Sequence, residues 1–290
     1  MVVDANKQFS TVRKALKVAT SVLEHTSDSA RLDAELLLAI AFGRDRAWLY
    51  AHDDAQLTAK QAQVFQTLLA QRAEGRPIAH LTGLREFWSL EFAVNEYTLV
   101  PRPETEVLVE TALQHIPDNI ACRVLDLGTG SGAIAIAIAS ERAGSDIVAT
   151  DRSHGALEIA AENAQRHCPG RITFFQGDWY AALPADVALF DVIVTNPPYI
   201  GEAEEELTDP ELAFEPAAAL YSGKDGLHAI RQIVAKASVH LNPGGWLLIE
   251  HGFAQAADVA KLLTAAGFKS VDNVPDLSGH PRVSYGQFRT

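Results

Sequence analysis

The 290-residue chain predicts an α/β protein: a small helical bundle, then a linking β-hairpin, then a doubly wound and mostly parallel sheet. Three observations carry that expectation. Helical periodicity marks residues 1–75, aromatic and β-branched residues crowd 76–100, and strands alternate with helices from Arg123 onward. The expected domains are therefore 1–75, 76–100 and 101–290.

In the first segment, Ser29–Ala41 carries Leu32, Leu36, Leu37 and Ile40 on one stripe, with Asp28 or Ser29 as N-cap and Gly43 as the stop. Thr58–Glu74 repeats the design, with Val64, Leu68 and Leu69 facing inward and Gly75 ending it. Thr11–Glu24 is a weaker third helix. Nothing in this bundle resembles a chemical site. Between Ile78 and Val100 the chain reads as a hairpin with its turn near Asn95. Pro101-Arg102-Pro103 ends the second strand. Pro103 is placed to start the helix Thr105–Gln114, and Glu104 and Glu106 complement the positive end of its dipole.

Strands are expected at Arg123–Leu127, Ile147–Thr150, Ile172–Gln176, Phe190–Thr195 and Gly245–Ile249. Helices are expected at Ala133–Ser140, Ser153–Arg166, Leu227–Leu241 and Ala254–Ala266. Such alternation implies a parallel sheet covered on both faces. Lys269–Val274 and Val283–Phe288, around the turn-rich Pro275–Pro281, should close the sheet as an antiparallel pair. That appended hairpin suits a methyltransferase-type Rossmann fold better than a dehydrogenase.

Composition sets the outer bounds. With 48% hydrophobic and 21% charged residues, the chain has the balance of a compact globular protein. Its longest strongly apolar stretch, Ala133–Ala139, is far shorter than the ~20 residues that span a bilayer, so no membrane partner is expected. Asp4, Lys7, Arg13, Lys14 and Lys17 interrupt any early apolar run, which argues against a signal peptide. Two cysteines, Cys122 and Cys168, make neither a disulfide framework nor a four-cysteine metal site. A reduced cytoplasmic setting is the expectation. Residues 1–75 hold 9 basic and 9 acidic side chains, so the net charge of −13 falls wholly on the remainder. Such a field disfavours a nucleic-acid substrate, whose binding depends on Lys and Arg neutralising phosphates, and slightly favours a basic protein partner.

Asp126-Leu127-Gly128-Thr129-Gly130-Ser131-Gly132 follows a strand and opens a helix. Glycines there let the backbone turn tightly and approach a ligand. Asp151 ends the next strand, 23 residues after Gly128, where a carboxylate can accept both hydroxyls of a ribose. A nucleoside-containing ligand is expected there, with a purely structural tight turn as the alternative. Gly128, Gly130 and Ala133 also satisfy the dinucleotide fingerprint, so the loop leaves the cofactor class open. Asp178-Trp179 after the third strand offers an acceptor beside a flat aromatic, which suits an adenine ring; a half-buried strand-end Trp explains it equally well.

Asn196-Pro197-Pro198-Tyr199 ends the fourth strand, where open α/β sheets collect ligands. Two prolines fix φ and remove two backbone donors, leaving carbonyl oxygens as acceptors. The Asn196 side-chain oxygen and the Pro197 carbonyl can hold the two hydrogens of a planar NH₂ group, with Tyr199 stacked on its plane. An amide nitrogen is a poor nucleophile, so orientation must supply much of the catalysis, worth up to ~7–11 kcal/mol. Each neutral hydrogen bond contributes only about 1 kcal/mol net, so geometry outweighs bond strength. A proline-terminated strand with a turn-forming Asn is the bland reading; the glycine loop, Asp151 and the further βα units around it weigh against that.

On these motifs the chain resembles class I S-adenosylmethionine-dependent methyltransferases, and among them the peptide chain release factor glutamine methyltransferases (the HemK/PrmC family). The resemblance rests on REFWSLEF (Arg85–Phe92), LVPRPETE (Leu99–Glu106), VLDLGTGSGAIAIAIA (Val124–Ala139), DVIVTNPPYI (Asp191–Ile200), FEPAAAL (Phe214–Leu220) and LLIEHG (Leu247–Gly252). It implies a Rossmann-like domain with a mostly parallel seven-stranded sheet and a C-terminal antiparallel hairpin. It implies S-adenosylmethionine as cofactor, released as S-adenosylhomocysteine, held by Gly128, Thr129, Gly130, Ser131, Gly132, Asp151, Trp179 and Asn196, with no metal. The implied substrate is the glutamine of the Gly-Gly-Gln loop in class-one release factors, gripped by Asn196, Pro197, Pro198 and Tyr199, with Asn196, Pro197 and Tyr199 as the catalytic set. Methyl transfer would be a direct in-line displacement. Arg102–Thr105 should close one side of the pocket, and the helical segment carries a weakly implied partner-docking role.

Other groups read as structural. The acidic run Glu202, Glu204, Glu205, Glu206, Asp209 and Glu211 reads as a solvated face, or more sharply as a surface for a basic partner. His251, after Glu250, reads as strand-end packing. Trp48, Trp88 and Trp246 read as core or interdomain residues. The nearest rival function is adenine-N6 methylation of nucleic acid, since adenine presents the same flat NH₂, but no basic target-recognition region is visible. A dehydrogenase lacks a hydride-relay acid beside Asn196–Tyr199, and a non-enzymatic cofactor-binding module leaves that motif unexplained.

Overall fold

A computed structural model describes residues 9–202 and 210–289, and the chain forms two compact units, Met1–Gly83 and Leu84–Thr290. No described helix is long and apolar enough to cross a membrane. The first unit contains α1 (Val12–Leu23), α2 (Ala30–Phe42), α3 (Arg46–Ala51), α4 (Ala59–Ala73) and α5 (Ile78–Thr82). Thr11 caps α1 by accepting the Lys14 N–H, and Thr58 with Gln61 forms a reciprocal capping box at the start of α4. Leu16, Leu23, Leu37, Leu38, Leu49, Phe65 and Leu69 fill the core, with Phe9 edge-on to Phe65 at 5.3 Å.

Here the helices are turned from the expected faces. Leu32 and Ile40 are 39% and 40% exposed, whereas Asp33 and Glu35 are buried beside Leu37 and Leu38. Arg72 Nε of α4 donates to Asp33 at 2.6 Å. Glu35 receives Arg31 at 2.6 Å, Arg46 at 2.7 Å and the Tyr50 hydroxyl at 2.8 Å. Burial pushes the Glu35 carboxyl up, but bonds from Arg46, Tyr50 and Arg31 outweigh it and hold it below the usual range. Paired carboxylates are tolerated inside; a periodicity scan assigns them to solvent and so rotates the face by about one residue, ~100°. The same slip occurs in α4, where Val64 is exposed and Phe65 buried.

The second unit opens with the hairpin β1 (Leu84–Phe87) and β2 (Leu90–Ala93). Its turn is Trp88-Ser89, not the Asn95 region. Both turn residues have positive φ (54° and 57°), as a two-residue hairpin loop with the twist of its strands requires. Non-glycine residues hold this conformation because carboxylates take their N–H groups: Glu106 Oε1 accepts from Trp88 N at 2.8 Å, and Glu86 Oε1 from Ser89 N at 2.7 Å. Asn95 instead turns the chain after β2, accepting the Tyr97 N–H at 3.0 Å. Residues 78–82, expected within the hairpin segment, are the helix α5 of the first unit.

A 3₁₀ turn at Pro103–Thr105 leads into α6 (Glu106–His115). Strands β3 (Arg123–Leu127), β4 (Asp146–Asp151), β5 (Ile172–Gln176), β6 (Phe190–Thr195), β7 (Leu241–Glu250), β8 (Lys269–Pro275) and β9 (Pro281–Gln287) form one sheet in the order β5-β4-β3-β6-β7-β9-β8. The first five are parallel; β9 pairs antiparallel with both β7 and β8. Successive strand residues face opposite layers. Val124, Val192, Val194 and Leu248 pack with α6, α7 (Ala133–Glu141) and α8 (His154–His167), while Leu125, Leu127, Ile193 and Ile249 pack with helices His228–Ala237 and Ala256–Ala265. Asn163 of α8 is fully buried and stitches the hairpin to the loop after β3: it accepts from Ala93 N at 2.7 Å and donates to Ala93 O at 3.0 Å and Ser131 O at 2.9 Å.

Replacing Arg72 with Met leaves Asp33 buried without its guanidinium. Loss of one partner of a buried pair costs about 3–5 kcal/mol. Native-state hydrogen exchange should therefore show α2 and α4 amides of the full chain opening more readily in Arg72→Met, with the sheet strands unaffected.

Candidate functional site

The parallel register brings three loops together. Leu127 pairs with Thr195, and Thr195 pairs with Ile249, so Gly128, Asn196 and Glu250 leave the sheet side by side. The Thr195 hydroxyl donates to Leu127 O at 2.8 Å and locks that register. From β3 the chain runs outward through β4 and β5, then returns to place β6 on the other side of β3. Ligands of open α/β sheets collect at such a reversal. A cavity of about 720 Å³ opens there, within the ~300–1,000 Å³ typical of cofactor and substrate sites.

Gly128, Thr129, Gly130 and Ser131 line it from β3, Asp151 from β4, Trp179 from β5, and Asn196 and Pro198 from β6. Gly128 has φ 74°, and a Cβ there would sit 3.1 Å from Cζ3 of Trp179, so the indole lies directly against the loop. The Gly128 and Thr129 N–H groups both donate to Thr150 O at 2.9 Å. Asp151 has a structural task as well as a place in the wall. Its Oδ2 accepts the Gly130 N–H at 2.9 Å and its Oδ1 the Ser153 N–H at 2.8 Å, which ties the glycine loop to the next strand. Asp151 lines the cavity, and each of its oxygens can accept a further hydrogen bond. Thr129 donates to Asp126 Oδ2 at 2.6 Å, and the Ala135 backbone N–H also favours the ionised carboxyl. Burial, with Asp151 adding to it and Thr129 opposing it, pushes the Asp126 carboxyl up to about 7.

On the opposite wall the Asn196 amide is held from behind. Its Nδ2 donates to the Thr105 hydroxyl at 3.1 Å, and both side chains lie within hydrogen-bonding reach of the buried Glu250 carboxylate. Burial pushes the Glu250 carboxyl up to about 7, against the Thr105 and Asn196 hydrogen bonds and the Arg282 charge. Arg102 and Thr105 line the cavity beside this group, as expected for that segment. The Arg102 guanidinium pairs with buried Glu215, whose Oε2 accepts the Val100 N–H at 2.9 Å, so the FEP segment anchors the LVPRPETE strap.

Not every expected residue borders the cavity. Gly132 serves the turn into α7, its N–H donating to Thr129 O at 2.9 Å. Pro197 is buried. Tyr199 is partly buried, and its ring lies close to Gly252, where a Cβ would sit 3.7 Å from Cδ2. Its carbonyl accepts from Gln255 Nε2 at 2.9 Å, and a Cβ on Gly226 would overlap that oxygen at 2.1 Å, so the chain is pinned there. Burial and the nearby Glu250 push the Tyr199 hydroxyl above its usual range. His251 is fully buried, 2.7 Å from Ser284 Oγ, in the packing role expected. Burial pushes the Cys122 thiol up to about 12 and also raises that of Cys168. Of the acidic run, Glu202 and Glu211 are described; Glu204, Glu205, Glu206 and Asp209 lie outside the described residues. The sequence assigns no site role to Glu250 or Asn163, and none to Thr105 beyond its place in the Arg102–Thr105 segment. Glu250 alone carried a signal: a carboxylate closing the apolar run Leu247–Ile249.

Two family models match, the PrmC N-terminal domain over residues 14–83 and the methyltransferase small domain over residues 104–264. A release factor glutamine methyltransferase from Xylella fastidiosa (strain Temecula1 / ATCC 700964) is 50% identical over 257 residues, covering 89% of this chain and 93% of that protein. The protein of the same name from Escherichia coli (strain K12) is 44% identical over 273 residues, 94% of this chain and 97% of the relative. Among solved structures, a methyltransferase from Pyrococcus furiosus shares the fold at TM-score 0.52 and 19% identity, over 69% of this chain and 90% of that one. A 16S rRNA methyltransferase from T. Thermophilus, in complex with AdoMet and guanosine, does so at TM-score 0.51 and 19% identity, over 71% of this chain and 50% of that one. With a glycine cradle facing an Asn-Pro-Pro-Tyr rim, and with relatives matching over nearly its whole length, the chain belongs to the release factor glutamine methyltransferase family.

Proposed function

We propose that the chain transfers a methyl group from S-adenosylmethionine to the side-chain amide nitrogen (N5) of the glutamine in the Gly-Gly-Gln motif of class-one peptide chain release factors. The observation that carries this reading is the Asn196 amide, held by Thr105 on one side of a cavity whose other side is the Gly128–Ser131 loop.

The residues present fit the cofactor. Position 130 opens onto free space, the Trp179 ring lies against Gly128, and Asp151 lines the cavity with acceptor capacity to spare. In this reading Gly128–Ser131 approach the methionine part, with Gly132 turning the loop into its helix; Asp151 accepts from the ribose and Trp179 flanks the adenine. When bound, S-adenosylmethionine supplies an electrophilic methyl group on a sulfonium centre. Asn196 Oδ1 and the backbone carbonyl of Pro197, a residue whose ring is buried, accept the two hydrogens of the substrate amide and turn its nitrogen toward the donor side. Pro198 borders the same space, and Tyr199, its carbonyl pinned by Gln255, stacks on the plane of the amide. The chain's contribution is orientation, the effect a weak nucleophile needs most. The acidic balance beyond residue 75 agrees with a basic protein substrate.

Incubation with S-adenosylmethionine and a purified class-one release factor, followed by mass spectrometry, should show one methyl group on the glutamine of the Gly-Gly-Gln peptide. Methylation of adenine in a nucleic-acid control, with the release factor unmodified, overturns the reading. Asn196→Ala should lower turnover by ~10²-fold or more, because misplacement of the reacting group costs that much, while calorimetry finds cofactor affinity largely retained. Asp151→Ala should weaken cofactor binding roughly 10- to 100-fold, through lost acceptors and a released glycine loop. Unchanged affinity in that variant removes the ribose assignment.

A further inference from the structure

A carboxamide presents two ends of nearly the same shape, one an acceptor and the other a pair of donors. For Asn196 to receive the hydrogens of a substrate amide, its oxygen must face the cavity; turned over, it would set donors against donors. Thr105 does not settle the matter, because a hydroxyl both donates and accepts. An ionised carboxylate only accepts. Glu250 leaves β7 beside Asn196 in the parallel register, is 1% exposed, and lies within hydrogen-bonding reach of both Thr105 and Asn196.

We propose that Glu250 is a positioning residue: its buried carboxylate draws the Asn196 amide protons and the Thr105 hydroxyl proton to one side, and so turns the Asn196 oxygen toward the substrate. This rests on the reading of Asn196 as the substrate's acceptor. The hydrogen bond from Asn196 Nδ2 to Thr105 Oγ1 at 3.1 Å has the direction such an arrangement requires. The charged and titratable groups facing Glu250 come from three elements. Arg282 of β9 favours its ionised form, Glu104 of the Pro103–Thr105 turn opposes it, and the Tyr199 hydroxyl is itself raised by the Glu250 charge. His251, the next residue, is engaged with Ser284 and Gly252.

Burial, against the Thr105 and Asn196 hydrogen bonds and the Arg282 charge, places the Glu250 carboxyl at about 7, so the accepting form dominates above that pH and is lost as pH falls through it. Protonation adds a donor and removes the bias on the Asn196 amide. Turnover on release factor should fall on the acid side with an apparent midpoint near that value, with cofactor affinity following a different profile.

The test is Glu250→Gln in the full chain, assayed across pH for kcat, KM of the release factor and cofactor affinity by calorimetry. Replacing the accepting carboxylate with a carboxamide should lower kcat roughly 10- to 100-fold, leave cofactor affinity within about 2-fold, and abolish the acid limb. Wild-type kcat, an unchanged acid limb, or cofactor affinity lost in step with kcat each overturns the proposal. Thr105→Val and Thr105→Ser give a second reading should Glu250→Gln fold poorly: the Val variant should be slow and the Ser variant restored, and equal rates in the two count against the arrangement. Asn196→Ala separates the levels. Normal turnover there defeats the acceptor assignment itself, whereas an inactive Asn196→Ala beside a fully active Glu250→Gln defeats only the role of Glu250.

Discussion

One hydrogen-bond register governs the second unit. Leu127, Thr195 and Ile249 stand abreast on three adjacent parallel strands, at the ~4.8 Å spacing of a sheet. Because of it, the glycine loop, the Asn-Pro-Pro-Tyr rim and the Glu250 carboxyl emerge as neighbours although they lie far apart in the chain. A slip of one residue would send each side chain to the opposite layer, exchanging Leu125 and Leu127 for Val124 and the buried Asp126. The two apolar layers enforce the register: Val192 and Val194 belong to one core, Ile193 and Ile249 to the other. The site inherits its precision from the packing of Val, Ile and Leu beneath it.

Carboxylates then do the local fastening. Asp151 ties Gly130 to Ser153, Glu215 ties Val100 to Arg102, and Glu106 and Glu86 hold the left-handed Trp88-Ser89 turn. Each takes backbone N–H groups that a loop otherwise leaves to water, and charge-assisted bonds of this kind are about twice as strong as neutral ones. The loops around the cavity are therefore short-tethered without regular secondary structure. Asp126 and Glu250 are the two that burial raises furthest, and both stand at the carboxyl ends of central strands, where perturbed groups mark function.

The first unit applies the same chemistry to a different end. Asp33 and Glu35 sit inside a helical bundle because Arg72, Arg31, Arg46 and Tyr50 meet them, and a face that hydropathy alone would bury, carrying Leu32 and Ile40, is left outside.

Local patterns were enough to place β3, β5 and β6 at their observed limits and the glycine loop and proline rim at strand ends, because strand alternation, helix caps and glycine-proline punctuation are properties of neighbouring residues. Motif identity likewise follows from contiguous residues such as Asn196–Tyr199. What the linear chain did not disclose depends on partners distant along it. The turn at Trp88-Ser89 is selected by Glu106, the faces of the bundle helices by Arg72 and Arg46, and the backing of Asn196 by Thr105 and Glu250, 91 and 54 positions away. A carboxylate reads as solvent-seeking until its cation or donor is brought beside it. Tertiary packing alone decides that meeting, since the free energy of a buried charge is set by what surrounds it and not by its neighbours in sequence.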